Sequence, residues 1–362
     1  EIMITKLKRS GIIKVTSLGN YDFDYPYLYY FFVGKYFSEH CDQRFDKNSI
    51  AIQEMNNIFD NLHKNENAYI TIFLVHHSKD QNLILEISKR ADELFSEFQP
   101  AKLDKEELVF FRPNIIKQQI GESRHNVAEE RRRQLMIQDE IEETEPLKDS
   151  DLDDDDDFGL SAQLRRSIKT VEVIGCIMRN RAGSSRIMLE NLFEKGSNVH
   201  LRIISSFFDL VKRLIKKDNY DDFIQKNIAK KNPNLTPTQV SQLSQNIFWN
   251  LNFGFILAMI DRITSSLGAK TLISISDNVC KQMNTPASFV IKQELAMRYQ
   301  HNIRIGELNE KELSQFSPIT RNVLFFFINQ FCRYNRIDDT DRQRLKKLGL
   351  NIDKIPLLPQ KK

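Results

Sequence analysis

The sequence predicts a mainly α-helical protein with one short β-hairpin near its start. Three observations carry this. Only 12 glycines and 10 prolines punctuate 362 residues, too few for a turn-rich all-β fold. Apolar residues recur at helical spacing through most of the chain. A capping box, Thr236-Pro237-Thr238-Gln239, announces a long helix outright. With 41% hydrophobic and 28% charged residues the composition is globular, and the length suggests two or three domains.

Residues 1–40 read helix, hairpin, helix. "EIMITKLKRSG" has helical spacing and stops at Gly11; "IIKVTSLGNYDFDY" is two β-rich runs around a Leu18-Gly19-Asn20 turn. Pro26 then sits where a first helical turn tolerates it. A helix, a two-stranded wing and a returning helix make the end of a winged-helix unit, assigned to residues 1–45. The returning helix is exceptional: "YDFDYPYLYYFFVGKYFSEH" holds six of the chain's ten tyrosines. Rings on nearly all sides imply burial on nearly all sides.

Residues 46–105 are expected to form a helical connector of two helices. "SIAIQEMNNIFDNLHK" aligns Ile50, Met55, Ile58, Phe59 and Leu62, and "NLILEISKRADELFSEF" aligns Leu83, Ile87, Ala91, Leu94 and Phe95, with the apolar "AYITIFLVHHS" between them. Residues 106–158 read as an acidic, flexible linker holding at most a short polar helix. From 159 to 362 only helices are expected, in stacked hairpins or a repeat-like array without fixed period. "LSAQLRRSIKTVEVIGCIMRNRAGS" places Leu164, Ile168, Val171, Gly175 and Met178 on one stripe and stops at Gly183. Further helices fall near 200–217, 284–300, 310–334 and 339–348.

The net charge of +3 conceals an asymmetry. Residues 139–157 carry twelve acids and one lysine, a net of −11, and removing that from the whole leaves +14 on the remainder. A basic body is compatible with a nucleic-acid partner; a solvated surface with a self-shielding tether is the plainer reading. Four widely spaced cysteines, Cys41, Cys176, Cys280 and Cys332, read as reduced thiols of a cytoplasmic protein. No signal peptide or uninterrupted apolar stretch of about 18 residues is present, so no membrane span is expected. The chain begins at Glu1 and runs straight into what looks like the middle of a domain, so we read it as a fragment of a longer protein.

Motifs of catalysis are not found. "VGKY" has a Gly-Lys pair without the upstream glycine or the Ser/Thr of a phosphate loop. His76-His77 could bind a metal, but no carboxylate stands at ligand spacing and a helix-end pair is the simpler account. Asp153 to Asp157 lack the glycines of a built cation loop. Cys176, with His200 as its nearest histidine, reads as structural. Gly175 marks a hinge or, preferably, the close approach of another helix. Arg165, Arg166, Lys169, Arg179, Arg181 and Arg186 form a basic surface that could hold phosphates, or be a plain solvated face.

Three stretches carry a family resemblance: "LKRSGIIKVTSLGNYDFDYPYLYYFFVGKYFSEH", "NAYITIFLVHHSKDQNLILEISKRADELFSEFQPAKL" and the helix quoted from Leu160. Together they resemble the C-terminal part of bacterial STAND-class NTPases, relatives of NACHT and NB-ARC proteins of which many act against phage. In the first stretch Phe23, Tyr25, Leu28, Tyr30, Phe31, Phe32, Gly34 and Tyr36 fit the run that closes the winged helix of that class. The resemblance implies winged-helix packing by Phe23, Leu28, Tyr30, Phe31, Phe32 and Tyr36. It implies an upstream domain that binds ATP or ADP with Mg, a separate effector, self-oligomerisation, and a phage or other protein as trigger. No cofactor is expected in this chain itself. Tyr25 stands where NACHT relatives often have a histidine near the nucleotide phosphate. A phenol donates a hydrogen bond but cannot carry the charge of an imidazolium. The sequence therefore reads as a regulatory, ligand-sensing region. Its rivals are a helical nucleic-acid-binding protein and an enzyme with a dispersed site.

Overall fold

The computed structural model describes residues 2–41, 50–78, 80–110, 160–216, 225–226, 230, 235–335 and 337–350. The polar helix expected before residue 140 and Asp153 to Asp157 lie outside the described residues.

Helix α1 (Ile2–Arg9) ends where Gly11 takes a left-handed φ of 68°, which glycine adopts without strain. Strands β1 (Ile13–Val15) and β2 (Tyr21–Phe23) pair antiparallel, with Ile13 opposite Phe23 and Val15 opposite Tyr21. Gly19 (φ 79°) closes the turn, its N–H donating to the Thr16 carbonyl at 2.9 Å. Helix α2 (Pro26–His40) follows with its proline in the first turn. The helix–hairpin–helix order is as the sequence predicts, and this hairpin is the one sheet among the described residues.

Three helices, not two, follow: α3 (Ile50–Asp60), α4 (Asn65–His77) and α5 (Gln81–Glu93). The apolar run at 68–75 is a helix of its own. A turn separates it from α3, in which Asn61 and Lys64 bond back to the preceding carbonyls. A second break precedes α5, where the Asp80 carboxylate accepts the Asn82 N–H at 2.9 Å as N-cap. All five residues expected on one face are buried, Leu83, Ile87 and Ala91 on α5 and Leu94 and Phe95 just past its end. On α3 the buried face is Ile52, Met55 and Phe59, while Ile50 points outward.

Eight more helices complete the described chain: α6 (Leu160–Asn180), α7 (Arg186–Lys216), α8 (Pro237–Leu267), α9 (Ile273–Met283), α10 (Pro286–Gln300), α11 (Glu310–Leu313), α12 (Pro318–Tyr334) and α13 (Asp339–Lys347). The capping box of α8 forms as expected, with Gln239 N–H on Thr236 Oγ1 and Thr236 N–H on Gln239 Oε1. The helix expected over 200–217 starts already at Arg186, because Leu189, Leu192 and Phe193 extend its buried face. The span 310–334 is two helices, since Ser317 caps and Pro318 starts a new one. Helix α9 was not expected.

Helix α6 is the hub, touching α4, α5, α7 and α8. Glycines permit the tightest crossings. A β-carbon at Gly196 on α7 would stand 3.0 Å from Leu267 at the end of α8, and one at Gly268 would stand 2.3 Å from the Tyr299 ring. Gly175 is a close approach to α8, as preferred from the sequence. After α5 the chain runs extended through residues 101–105, and its backbone bonds to three separate elements. Ala101 N–H donates to Leu201, Lys102 C=O accepts from Ala287, and Leu103 C=O accepts the Thr320 hydroxyl at 2.7 Å. Leu103 is held there buried at φ 59°, a strained conformation for leucine that this grip on both sides maintains. One cluster of buried residues thus runs from Phe37 to Leu350, across the boundaries drawn at 106 and 159.

Candidate functional site

Helix α2 carries two aromatic stripes that meet different surroundings. Tyr27, Tyr30, Phe31 and Gly34 face α4. At Gly34 the two helices touch, for a β-carbon there would stand 2.8 Å from the Leu74 nitrogen and from Phe73 Cβ. Around that contact Tyr30 stacks on Tyr69 with centroids 5.5 Å apart, Tyr27 meets the same ring edge-on at 5.4 Å, and Phe31 meets Phe73 at 5.8 Å and His77 at 4.7 Å. Such pairs favour offset or edge-on geometry. Burial, then the neighbouring His76, lowers the pKa of His77. The histidine pair thus sits at the C-terminal end of α4 against a ring; among the described residues no group of three or more His, Cys, Asp or Glu is placed to hold a metal.

The second stripe, Tyr29, Phe32, Val33, Tyr36 and Phe37, follows the i, i+3, i+4, i+7, i+8 rule. It forms one wall of a cleft of about 530 Å³; Phe23 from β2 closes one end, and α3 and α4 supply Glu54, Asn57, Glu66 and Asn67. Phe23 and Phe32 stack at 5.7 Å with planes 22° apart, and Tyr29 stands 6.1 Å from Phe23. The pKa of Tyr29 is raised by burial first, then by the negative charge of the nearby Glu66 carboxylate. At the end of α2 the Cys41 thiol is pushed up to about 11, by burial first and then by the Glu54 charge. Among the described residues the lining holds two carboxylates and neither lysine nor arginine.

Burial on nearly all sides of α2 is not what is found. Gly34 and Phe37 are its buried residues; Tyr27, Tyr29, Phe32 and Tyr36 are all more than a third exposed. Of the residues expected to pack the unit, Leu28, Tyr30 and Phe31 are half-buried, and Phe23 reaches Phe32 and Tyr29. Tyr25, the N-cap residue of α2, makes no side-chain cap bond and is 63% exposed. Tyr21 beside it on β2 is also exposed, with Lys8 above its ring at 5.0 Å. Tyr29 lines the cleft beside Phe23, whereas Tyr25 is exposed at the head of α2.

Most of the six basic residues of the expected surface have partners within the protein. Arg181 donates to the carbonyls of Val75 (3.1 Å) and Ser78, capping the C-terminal end of α4. Arg179 donates to the Ser266 carbonyl at the end of α8. Lys169 pairs with Glu172 at 3.1 Å and Arg186 with Glu190 at 2.7 Å. Arg165 is exposed and Arg166 half-buried. Four of the six are therefore engaged with protein groups. Arg202 plays the same part unforeseen, donating to the Ala91 and Asp92 carbonyls at the end of α5 at 2.9 and 2.7 Å. Its acceptors are main-chain atoms, so no sequence pattern announces it. Glu54 and Glu66 were also missed, since they reach the cleft from two other helices. A second cleft, about 620 Å³, lies between the start of α5 and the α6–α7 turn, with Leu85 and Ile187 exposed on it; its cations Arg181 and Lys195 are already paired, the latter with Asp92.

No helix among the described residues is long and apolar enough to cross a membrane. No protein-family model, curated protein or solved structure matches the chain, so the functional reading rests on this geometry.

Proposed function

We propose that this chain is the regulatory, ligand-sensing region of a STAND-class ATPase in bacterial antiviral defence, coupling recognition of a protein trigger to nucleotide-dependent oligomerisation and effector activation. One observation carries the reading: the helix–hairpin–helix unit leaves Tyr21, Tyr25, Tyr27, Phe32 and Tyr36 open to solvent on one small unit. Clustered exposed rings mark surfaces that other proteins cover. The helix–hairpin–helix order supports reading this unit as the end of a winged helix, and Tyr25, exposed at the head of α2, stands where an upstream nucleotide-binding domain would meet it. ATP or ADP, Mg and the self-association surface belong to that domain. The mechanism is conformational. A trigger bound to the helical region shifts the equilibrium only as far as it prefers one state over the other.

Truncation is a poor test. Removing 158–362 strips α4 and α5 of the helices they pack on. Surface substitution is cleaner. In the protein with its upstream sequence restored, Tyr21→Ser and Tyr25→Ser combined should leave the thermal midpoint within a few degrees. The same variant should shift nucleotide-dependent oligomerisation by about tenfold or more, roughly 1.4 kcal/mol of lost contact. Unchanged oligomerisation and unchanged response to trigger would overturn the docking reading, and an upstream sequence without a phosphate loop would remove the ATPase class.

A further inference from the structure

We infer that the cleft between α2, α3 and α4 receives a cationic side chain, best an arginine guanidinium, presented by a protein partner. This deepens the proposal that the aromatic face docks a protein and rests on it.

The sign of the ligand follows from the walls. Phe23, Tyr29, Phe32 and Tyr36 line the cleft with aromatic rings, which a cation can meet favourably where a face is open. Glu54 and Glu66 add carboxylates from two other helices. Among the described residues neither is in an ion pair with a lysine or arginine. Glu66 stands close enough to Tyr29 for its charge to raise the phenol's pKa, and it lines the cleft as a carboxylate. Among the described residues, Lys8 lies over Tyr21 outside the cleft, and Lys35 pairs with Glu39 at 3.8 Å. An anion would meet two like charges. A purely apolar guest would desolvate both carboxylates with nothing in return. A cation satisfies rings and carboxylates together. A planar guanidinium can lie against aromatic walls and fork onto a carboxylate, which suits this lining.

The probe is N-acetyl-arginine amide, with N-acetyl-citrulline amide as its uncharged isostere. The readout is fluorine NMR of the chain labelled with 3-fluorotyrosine, with the Tyr29 and Tyr36 signals assigned by Tyr→Phe variants. The arginine probe should shift both signals saturably in the millimolar range, about tenfold more tightly than citrulline, as one desolvated cation–π contact warrants. Glu54→Gln with Glu66→Gln should weaken it about fivefold at an unchanged thermal midpoint, glutamine keeping the size of each side chain. Equal binding of the two probes, no saturable shift, or an unaffected double variant overturns the inference. The docking reading is judged separately, by the tyrosine-to-serine variant above. Loss of docking there with no arginine binding here removes only this inference.

Discussion

A β-carbon on Gly175 would stand 1.8 Å from the carbonyl oxygen of Ser266, an oxygen that also accepts the Arg179 guanidinium. The end of α8 is thus pinned to the middle of α6 by an absent side chain and a present one. Glycine inside a helix ordinarily costs about 1 kcal/mol relative to alanine. Here the missing Cβ is the condition for contact.

Gly175→Ala should therefore destabilise despite its better helix propensity. The obstacle is backbone, which cannot swing aside, so a loss of about 3 kcal/mol is expected, at the upper end for overpacking. Gly254 on α8 is the control. Nothing lies within 4 Å of a β-carbon there, so Gly254→Ala should gain about 0.5 to 1 kcal/mol. Denaturant unfolding of both variants checks this; shifts of the same sign would refute the close-approach account.

Arg181 joins α6 to α4 through the carbonyls of Val75 and Ser78. A carbonyl at a helix C-terminus has no partner within the helix, and a cation there also meets the helix dipole. Arg181→Ala should cost about 2 to 3 kcal/mol, the range for losing charge-assisted bonds to half-buried acceptors. Arg181→Lys should recover part of this, because an ammonium is a compact donor on a flexible stem and lacks the planar fork. Hydrogen exchange should localise the loss to the amides at the end of α4. A lysine variant as stable as the native chain would show the fork to be dispensable.

Much of the helical framework was legible because local patterns speak for themselves. Leu83, Ile87, Ala91, Leu94 and Phe95 are all buried as their spacing predicts, and Thr236 and Gln239 form their capping box. The errors arose where a second signal overrode the first. Ser317-Pro318 splits an apolar stretch, and Asn61 to Lys64 separates α3 from α4. The aromatic run of α2 looked uniform, yet helical geometry divides it into a stripe on α4 and a stripe on the cleft. The carboxylates opposite that second stripe, Glu54 and Glu66, are ordinary surface acids by sequence. Only the packing of three helices brings them to the rings. The arginines went the other way. Arg179 and Arg181 look like part of a basic surface until their main-chain acceptors are known.

Thiol reactivity should divide the cysteines sharply. Burial pushes Cys280 up to about 12 and Cys332 up to about 11, and burial with the Glu54 charge does the same for Cys41, also about 11. At pH 8 their thiolate fractions are on the order of one in a thousand or less. Cys176 is the half-buried one, with Arg179 Nη2 3.3 Å from its sulfur. A thiol reagent on the native protein should label Cys176 first and the other three only on unfolding, as read by peptide mass spectrometry. Labelling of Cys280 at a rate comparable to Cys176 would contradict its burial.

His200 makes stability depend on pH in a window that one substitution can isolate. It lies fully buried on α7. Burial, with a smaller contribution from the Arg262 cation and a weak opposing pull from the Gly196 carbonyl, lowers its pKa from 6.5 to about 4. The folded chain holds it neutral, while the unfolded chain takes up a proton below about pH 6.5. Stability is therefore flat above that value. It falls as pH drops from 6.5 toward 4, by about 1.4 kcal/mol per pH unit, with a full loss on the order of 3 kcal/mol. The informative range is pH 7 to 5.5, above the region where carboxylates begin to protonate. There the native protein should lose about 1.4 kcal/mol by urea unfolding. His77, also lowered by burial, contributes with the same sign, so the comparison has to be made between proteins. His200→Leu should keep only that smaller slope and become the more stable of the two as pH falls. Parallel curves for the two proteins from pH 7 to 5.5 would mean that His200 is not held neutral.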